Sequence, residues 1–361
     1  MKIRRLTPIT GLFAIYTLLL TFGPIANAGN LSSVQKCVDH GYQAMGNRHA
    51  IVAAVLDATD SKIMIFGAAK ENQIFEIGSI TKTFTGNLLA QAVAAGSIKL
   101  SDPIPTAYQK SGSVISFQNL TTHTSGIIAG NFPKFIPANP LNPYGGLTIP
   151  IFKTLYAGTA LNFQPGTDWS YSNIGESLLG LILGENSGNS YENMVVNKIF
   201  KVLGMNDSSF QVSESSLSRF PEGRMIDQQS GQMQVMPHWN QSATNPAGGI
   251  SSTIADMVLY ARANLSPQLS PLAESVNLSQ QQLYYIQSLK MWIGMNWIIQ
   301  PDIGLVWHNG ETFGFNSILA ISKKNGQAII AMTDTTILLT DSKGNHSFDT
   351  SLQNVAFNCL K

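Results

Sequence analysis

The sequence predicts a mixed α/β fold: an antiparallel sheet built from both ends of the chain, flanked by helices and interrupted by a largely helical insertion. Three observations predict it. "AIVAAVLDATDSKIMIFGAA" sets two apolar runs, Ala50–Ala58 and Lys62–Ala68, around a Thr-Asp-Ser turn, which is the pattern of a hairpin. "SILAISKKNGQAIIAMTD" sets a second hairpin near the other end, turning at Lys323–Gly326 through an Asn-Gly pair favoured in tight turns. Between them run helical patterns at Thr81–Ala95, Gly175–Leu183 and Ile254–Leu265, separated by Pro/Gly/Asn-rich loops such as Phe132–Gly146. The stretch around Trp292 and Trp297 reads as one more strand packed in the core. No internal repeat or low-complexity tract interrupts the pattern.

Composition narrows the function classes. The 361 residues are 44% hydrophobic with a formal net charge of +1, which points away from a nucleic-acid groove or a polybasic membrane surface. Only 12% are charged, against roughly 25% in ordinary soluble domains, so a charged residue in an apolar segment is informative. At the N-terminus, Lys2, Arg4 and Arg5 precede an apolar core from Gly11 to Phe22 and the small-residue site Ala26-Asn27-Ala28. This is the layout of a secretory signal peptide cleaved after Ala28, leaving residues 29–361 as a single domain with no stable membrane anchor. The apolar run is shorter than the roughly 20 residues that span a bilayer, and no cysteine near the cleavage site offers a lipid attachment.

The two cysteines, Cys37 and Cys359, lie near opposite ends of the mature chain. A disulfide between them and two separate buried thiols are equally compatible with the sequence, which gives no distance. Neither has a His or Cys companion at metal-ligand spacing, so no zinc and no cofactor is expected.

The chemistry is concentrated in "FEIGSITKTFTG", where Ser79 and Lys82 stand three residues apart at an expected strand-to-helix transition. A serine hydroxyl needs a partner to take its proton, and residues three apart on a helix share a face. Backbone N–H groups at the helix start also favour negative charge developing beside the serine. Read without that chemistry, Ser79 is a helix N-cap and Lys82 a solvated side chain. The spacing recurs at Ser33 and Lys36, so the setting distinguishes Ser79: an apolar run before it, Gly78 beside it and an almost uncharged helix behind it, in which Lys82 is expected to be buried.

"FQPGTDWSYSN" supplies Tyr171 and Asn173. With these motifs in order, Ser79/Lys82, then Tyr171/Asn173, then His308-Asn309-Gly310, the chain resembles the serine β-lactamase and penicillin-binding protein superfamily, nearest its class C β-lactamase and D-alanyl-D-alanine carboxypeptidase branch. A second Tyr-x-Asn at Tyr191–Asn193 lacks the preceding Gln164-Pro165-Gly166 and Trp169 and reads as a helix start. "GSIKLSDPI", "LTTHTSGI", "NPAGGISSTIADM" and "HNGETFGF" extend the resemblance over essentially the whole mature chain.

The resemblance implies the superfamily's mixed α/β fold, a Ser79 nucleophile, Lys82 and Tyr171 as the groups that manage its proton, and Asn173 bonded to a substrate amide or orienting Lys82. It also implies an oxyanion hole from the backbone N–H groups of Ser79 and of Glu311, the residue after Gly310. Substrate-binding positions then include His308, Gly310 and Asn131. Two departures stand out. His308 replaces the usual lysine, whose fixed charge would hold a substrate carboxylate, and Asn131 stands where a glutamine is usual. His123 reads as a structural loop residue, and no Gly-x-Ser-x-Gly elbow supports an α/β-hydrolase. Asn309 and Glu311 are also compatible with a simple turn. The implied substrates are β-lactams or D-amino-acid peptides of the peptidoglycan type. An esterase and a penicillin receptor that acylates once are the alternatives.

Overall fold

The computed structural model describes residues 31–46, 48–341 and 346–361, and the expected signal peptide lies outside them. An eight-stranded antiparallel sheet forms the centre. Across it run Ser61–Gly67, Ala50–Leu56, Gln327–Thr333, Asn316–Ser322, Leu305–Glu311, Ile298–Gln300, Met291–Ile293 and Tyr284–Ile286. Both expected hairpins are present, and Ala50–Leu56 pairs with Gln327–Thr333, joining the chain ends in one sheet.

The central strands are buried along their whole length because both faces of the sheet are covered, which is why they read as continuous apolar runs rather than alternating ones. Successive side chains still go to opposite faces. Ile51, Ala53 and Val55 join Ile318, Ala320, Ile329 and Ala331 against the terminal helices Leu31–Gln43 and Ser351–Leu360. Val52, Ala54 and Leu56 join Leu319, Ile321 and Ile330 against the insertion, whose core includes Phe84, Leu88, Leu178 and Tyr260.

The expected helices are found at Thr81–Ala94, Asn173–Ser187 and Ile254–Leu265. Residues Thr81 to Ala90 are all buried, as the near absence of charge in that segment suggested. Trp297 is fully buried beside the strand Ile298–Gln300, and Trp292 lies on the strand Met291–Ile293. The insertion is less purely helical than expected: Gly223–Asp227 and Met233–Met236 form a hairpin that joins Thr335–Thr340 in a small second sheet. Cys37 and Cys359 form a disulfide with their Cα atoms 5.7 Å apart, which selects one of the two readings left open by the sequence.

Candidate active site

The Ser79 segment begins as a short strand, Phe75–Glu76, paired with Ser251–Ser252. One 3-10 turn, Gly78–Ile80, then leads into the helix at Thr81. Ser79 makes no side-chain cap: the residues in the cap positions are Ile77 and Ile80, so its hydroxyl is left for other partners. Two glycines set the turn against the strand Leu305–Glu311. Gly78 has φ +49°, and a Cβ there would lie 2.4 Å from the Glu311 nitrogen. A Cβ on Gly310 would lie 1.8 Å from the Ile77 carbonyl oxygen, which also accepts a 2.9 Å hydrogen bond from Ser317 Oγ. The backbones of Ser79 and Glu311 are thereby brought side by side. Asn309 and Glu311 belong to this strand rather than to a turn, which corrects the simpler reading of them.

One turn into the helix, Lys82 is fully buried, and its Nζ lies 2.9 Å from Ser79 Oγ. The same nitrogen donates to the Ala247 carbonyl at 2.6 Å and sits 4.7 Å from the centroid of the Tyr171 ring. Burial brings the Lys82 ammonium down to about 7, with Glu176 acting in the opposite direction. By contrast, Ser33 and Lys36, the copy of the spacing in the first helix, are exposed.

Tyr171 ends the segment that precedes the helix Asn173–Ser187, where Ser172 Oγ caps the first turn by accepting from Gly175 N at 2.9 Å. Its hydroxyl faces the Ser79 side chain, and burial holds the phenol well above its ordinary range, so it is protonated at neutral pH. His123 fixes this segment. Its carbonyl accepts from Ser170 N at 2.9 Å, its Nδ1 accepts from Ser172 N at 3.3 Å, and its ring centroid lies 4.5 Å from that of Tyr171. Burial keeps His123 neutral, consistent with a structural role.

His308 is buried and its ring centroid is 6.4 Å from that of Tyr171. Its Nδ1 donates to the Asn309 carbonyl at 2.6 Å, which leaves Nε2 as the unprotonated nitrogen of the neutral ring. Burial, reinforced by the charge of Lys82, takes the imidazole down to about 3. The position therefore carries no fixed positive charge at neutral pH.

Two side chains remain. Asn173 Nδ2 donates to the Tyr144 hydroxyl at 2.9 Å, and its buried Oδ1 accepts no hydrogen bond among the described residues, from Lys82 or any other. Asn131 is tied into its own loop: Nδ2 donates to the Pro143 carbonyl at 2.6 Å and Oδ1 accepts from Phe132 N at 2.9 Å.

Three contributors were not foreseen. Glu176 is fully buried in the first turn of its helix, accepts from Asn296 Nδ2 at 2.9 Å, and is held largely neutral by burial. Tyr144 arrives from a distant loop and the Ala247 carbonyl from the short helix Asn245–Gly248. Among the described residues no group of three His, Cys, Asp or Glu side chains could hold a metal ion.

The arrangement can transfer an acyl group: a hydroxyl flanked by a buried amine and a phenol, next to two adjacent backbone segments able to present N–H groups to an oxyanion. The family model described as Beta-lactamase matches residues 35–350. The chain belongs to the β-lactamase family. It is 26% identical to a β-lactamase of Pseudomonas fluorescens over 301 residues, covering 73% of this chain and 80% of that protein. It is 25% identical to the D-alanyl-D-alanine-carboxypeptidase/endopeptidase AmpH of Escherichia coli K12, covering 76% and 72%. A solved class C β-lactamase superposes with a TM-score of 0.75 over 92% of this chain and 98% of that one at 20% identity, which shows the shared fold. This β-lactamase-family chain is a serine hydrolase of the β-lactamase and D,D-peptidase type.

Proposed function

We propose that the chain is an exported, periplasmic acyl-hydrolase. Residues 29–361 form its single catalytic domain, and it cleaves β-lactams or D-amino-acid peptides of the peptidoglycan type through an acyl-enzyme on Ser79. The observation that carries this reading is the 2.9 Å contact between Ser79 Oγ and a fully buried Lys82. As the neutral amine, Lys82 accepts the Ser79 proton while Oγ attacks the carbonyl carbon. The oxygen that gains the negative charge is stabilised by the backbone N–H groups of Ser79 and Glu311. The proton then passes to the leaving nitrogen through Lys82 or the Tyr171 hydroxyl, and water repeats the sequence to release the acid. Asn173, whose Oδ1 has no partner among the described residues, and Gly310 line the substrate side. The substrate is a small molecule or a wall peptide, and no nucleic-acid partner is invoked.

A second reading is favoured by His308. A neutral ring at this position offers no charge for a substrate carboxylate, which suits ester hydrolysis.

Intact-protein mass spectrometry with excess penicillin, alongside Ser79→Ala, tests the proposal. An adduct or penicillin loss that requires Ser79 is expected. A persistent adduct points to a peptidase or a receptor, and rapid penicillin loss to a β-lactamase. Turnover of p-nitrophenyl acetate without any reaction with penicillin moves the assignment to the esterase, and retained activity in Ser79→Ala overturns it.

A further inference from the structure

A cavity of about 570 Å³ lies against the segment of residues 239–251. Its wall includes Asn245 and Gly248–Ser251, the segment whose Ala247 carbonyl holds Lys82, but none of Ser79, Lys82, Tyr171, Asn173 or His308. Two carboxylates line it, Glu76 and Glu192, and no lysine or arginine does.

Glu76 is only 6% exposed. Its Oε1 accepts from Trp239 N at 2.9 Å and faces His238 Nδ1 at 3.3 Å, whereas its buried Oε2 has no hydrogen-bond partner among the described residues. Glu192 accepts from Asn245 Nδ2 at 2.7 Å. Neither pairs with a lysine or arginine among the described residues. A buried carboxylate oxygen left without a donor is costly, and a ligand that brings an N–H donor and a positive charge removes that cost. The rest of the wall suits the body of such a ligand. Phe210, Phe220 and Trp239 line the cavity, and Phe220 is stacked on His238 with centroids 3.6 Å apart. Aromatic faces attract ammonium groups and bury alkyl stems.

We propose that this cavity is a binding site for a primary alkylammonium group, held between Glu76 and Glu192 with its stem against Phe210, Phe220 and Trp239. The site lies against the strand that leads to the nucleophile, since Glu76 pairs with Ser251 and Ile77 N donates to the Ile250 carbonyl at 3.0 Å. It does not depend on acyl transfer at Ser79.

Isothermal titration calorimetry on the full mature chain tests it with three probes: Nα-acetyl-L-lysine amide, its uncharged analogue Nα-acetyl-L-norleucine amide, and 1,5-diaminopentane. None carries a lactam, an ester or a D-residue, so failure of the acyl-transfer reading leaves the test unaffected. Binding is expected for at least one of the two amines and not for the norleucine compound. The lysine compound binding identifies a peptide side chain as the ligand, and the diamine alone binding identifies a free amine. Glu76→Gln keeps an oxygen for Trp239 N, and it and Glu192→Gln should each weaken amine binding about tenfold, the scale of one charge-assisted hydrogen bond. Should Glu76→Gln fail to fold, the more exposed Glu192→Gln decides alone. Equal binding of lysine and norleucine compounds, no binding of either amine, or unchanged affinity in the folded variants overturns the proposal.

Discussion

Lys82 Nζ lies 2.9 Å from Ser79 Oγ and donates to the Ala247 carbonyl at 2.6 Å. An ammonium has three donors and no acceptor, whereas a neutral amine has one lone pair. With one N–H fixed on Ala247, that lone pair is free to face the serine. Burial brings Lys82 down to about 7, so the proton-accepting form grows as pH rises through neutrality. We expect kcat/KM to increase across this range and level off above it. A profile flat through neutral pH would remove Lys82 as the acceptor, and Lys82→Ala should cost about 10² to 10⁴ in rate.

Glu176 can be tested on the same limb. Burial pushes its carboxyl up to about 8, so it is largely protonated while Lys82 titrates and lends the amine little negative charge. Glu176→Gln resembles that protonated acid and keeps an oxygen for Asn296 Nδ2. The acid limb of kcat/KM should therefore stay in place in a variant that folds. A limb moved to lower pH would show that Glu176 is ionised beside Lys82.

At Gly310 the strand Leu305–Glu311 packs against the Ile77 carbonyl, just before the Ser79 turn. A Cβ there would meet the Ile77 carbonyl at 1.8 Å and Ser317 Oγ at 2.6 Å. Gly310→Ala must push the turn and the strand apart, spoiling the shared alignment of the Ser79 and Glu311 backbones. A loss of about 10² to 10³ in kcat is expected, the scale of one oxyanion donor. Wild-type kcat in a folded variant would refute this placement.

What was legible in the sequence is what depends on near neighbours. Ser79 and Lys82 share a helical face by spacing alone, and the uncharged segment behind them announced a buried lysine. The two hairpins announced the sheet because their strands are covered on both faces. Glu176, Tyr144 and the Ala247 carbonyl reach the site through tertiary packing, which no local pattern encodes. Glu176 did leave a signal: it is the one charge in "SNIGESLLGLILG". The small sheet was missed because Gly223–Asp227 and Met233–Met236 are partly exposed strands with no clean alternation, and one of their pairings is the parallel contact with Thr335–Thr340.

Glu311 separates backbone from side chain. Its N–H is the group assigned to the oxyanion, while its carboxyl is buried, with Oε1 unpartnered among the described residues. Burial pushes that carboxyl from 4.5 up to about 9. Folding therefore favours the protonated acid. Its contribution is complete below the ordinary carboxylate range and is lost as pH rises toward the folded value, by at most about 1.4 kcal/mol per pH unit. Glu311→Gln should gain stability relative to wild type progressively from acidic to alkaline pH in thermal melts, while kcat/KM changes only a few-fold. A large loss of kcat/KM would give the side chain a role in catalysis.

The Cys37–Cys359 disulfide joins positions 322 residues apart, and its two helices pack on the same face of the central sheet. Ser79 and Lys82 belong to the segment that packs on the opposite face. A cross-link closing so long a loop acts mainly on the unfolded chain, so replacing both cysteines by serine should cost about 2 to 4 kcal/mol in denaturant titrations. Activity measured well below the unfolding transition should be unchanged, because no catalytic side chain contacts the terminal helices through that bond. Thiol titration of the native protein should find no free cysteine, and two after reduction. Loss of activity in a still-folded double variant would instead show that the terminal helices help to set the geometry of the strand Leu305–Glu311 that carries His308 and Gly310.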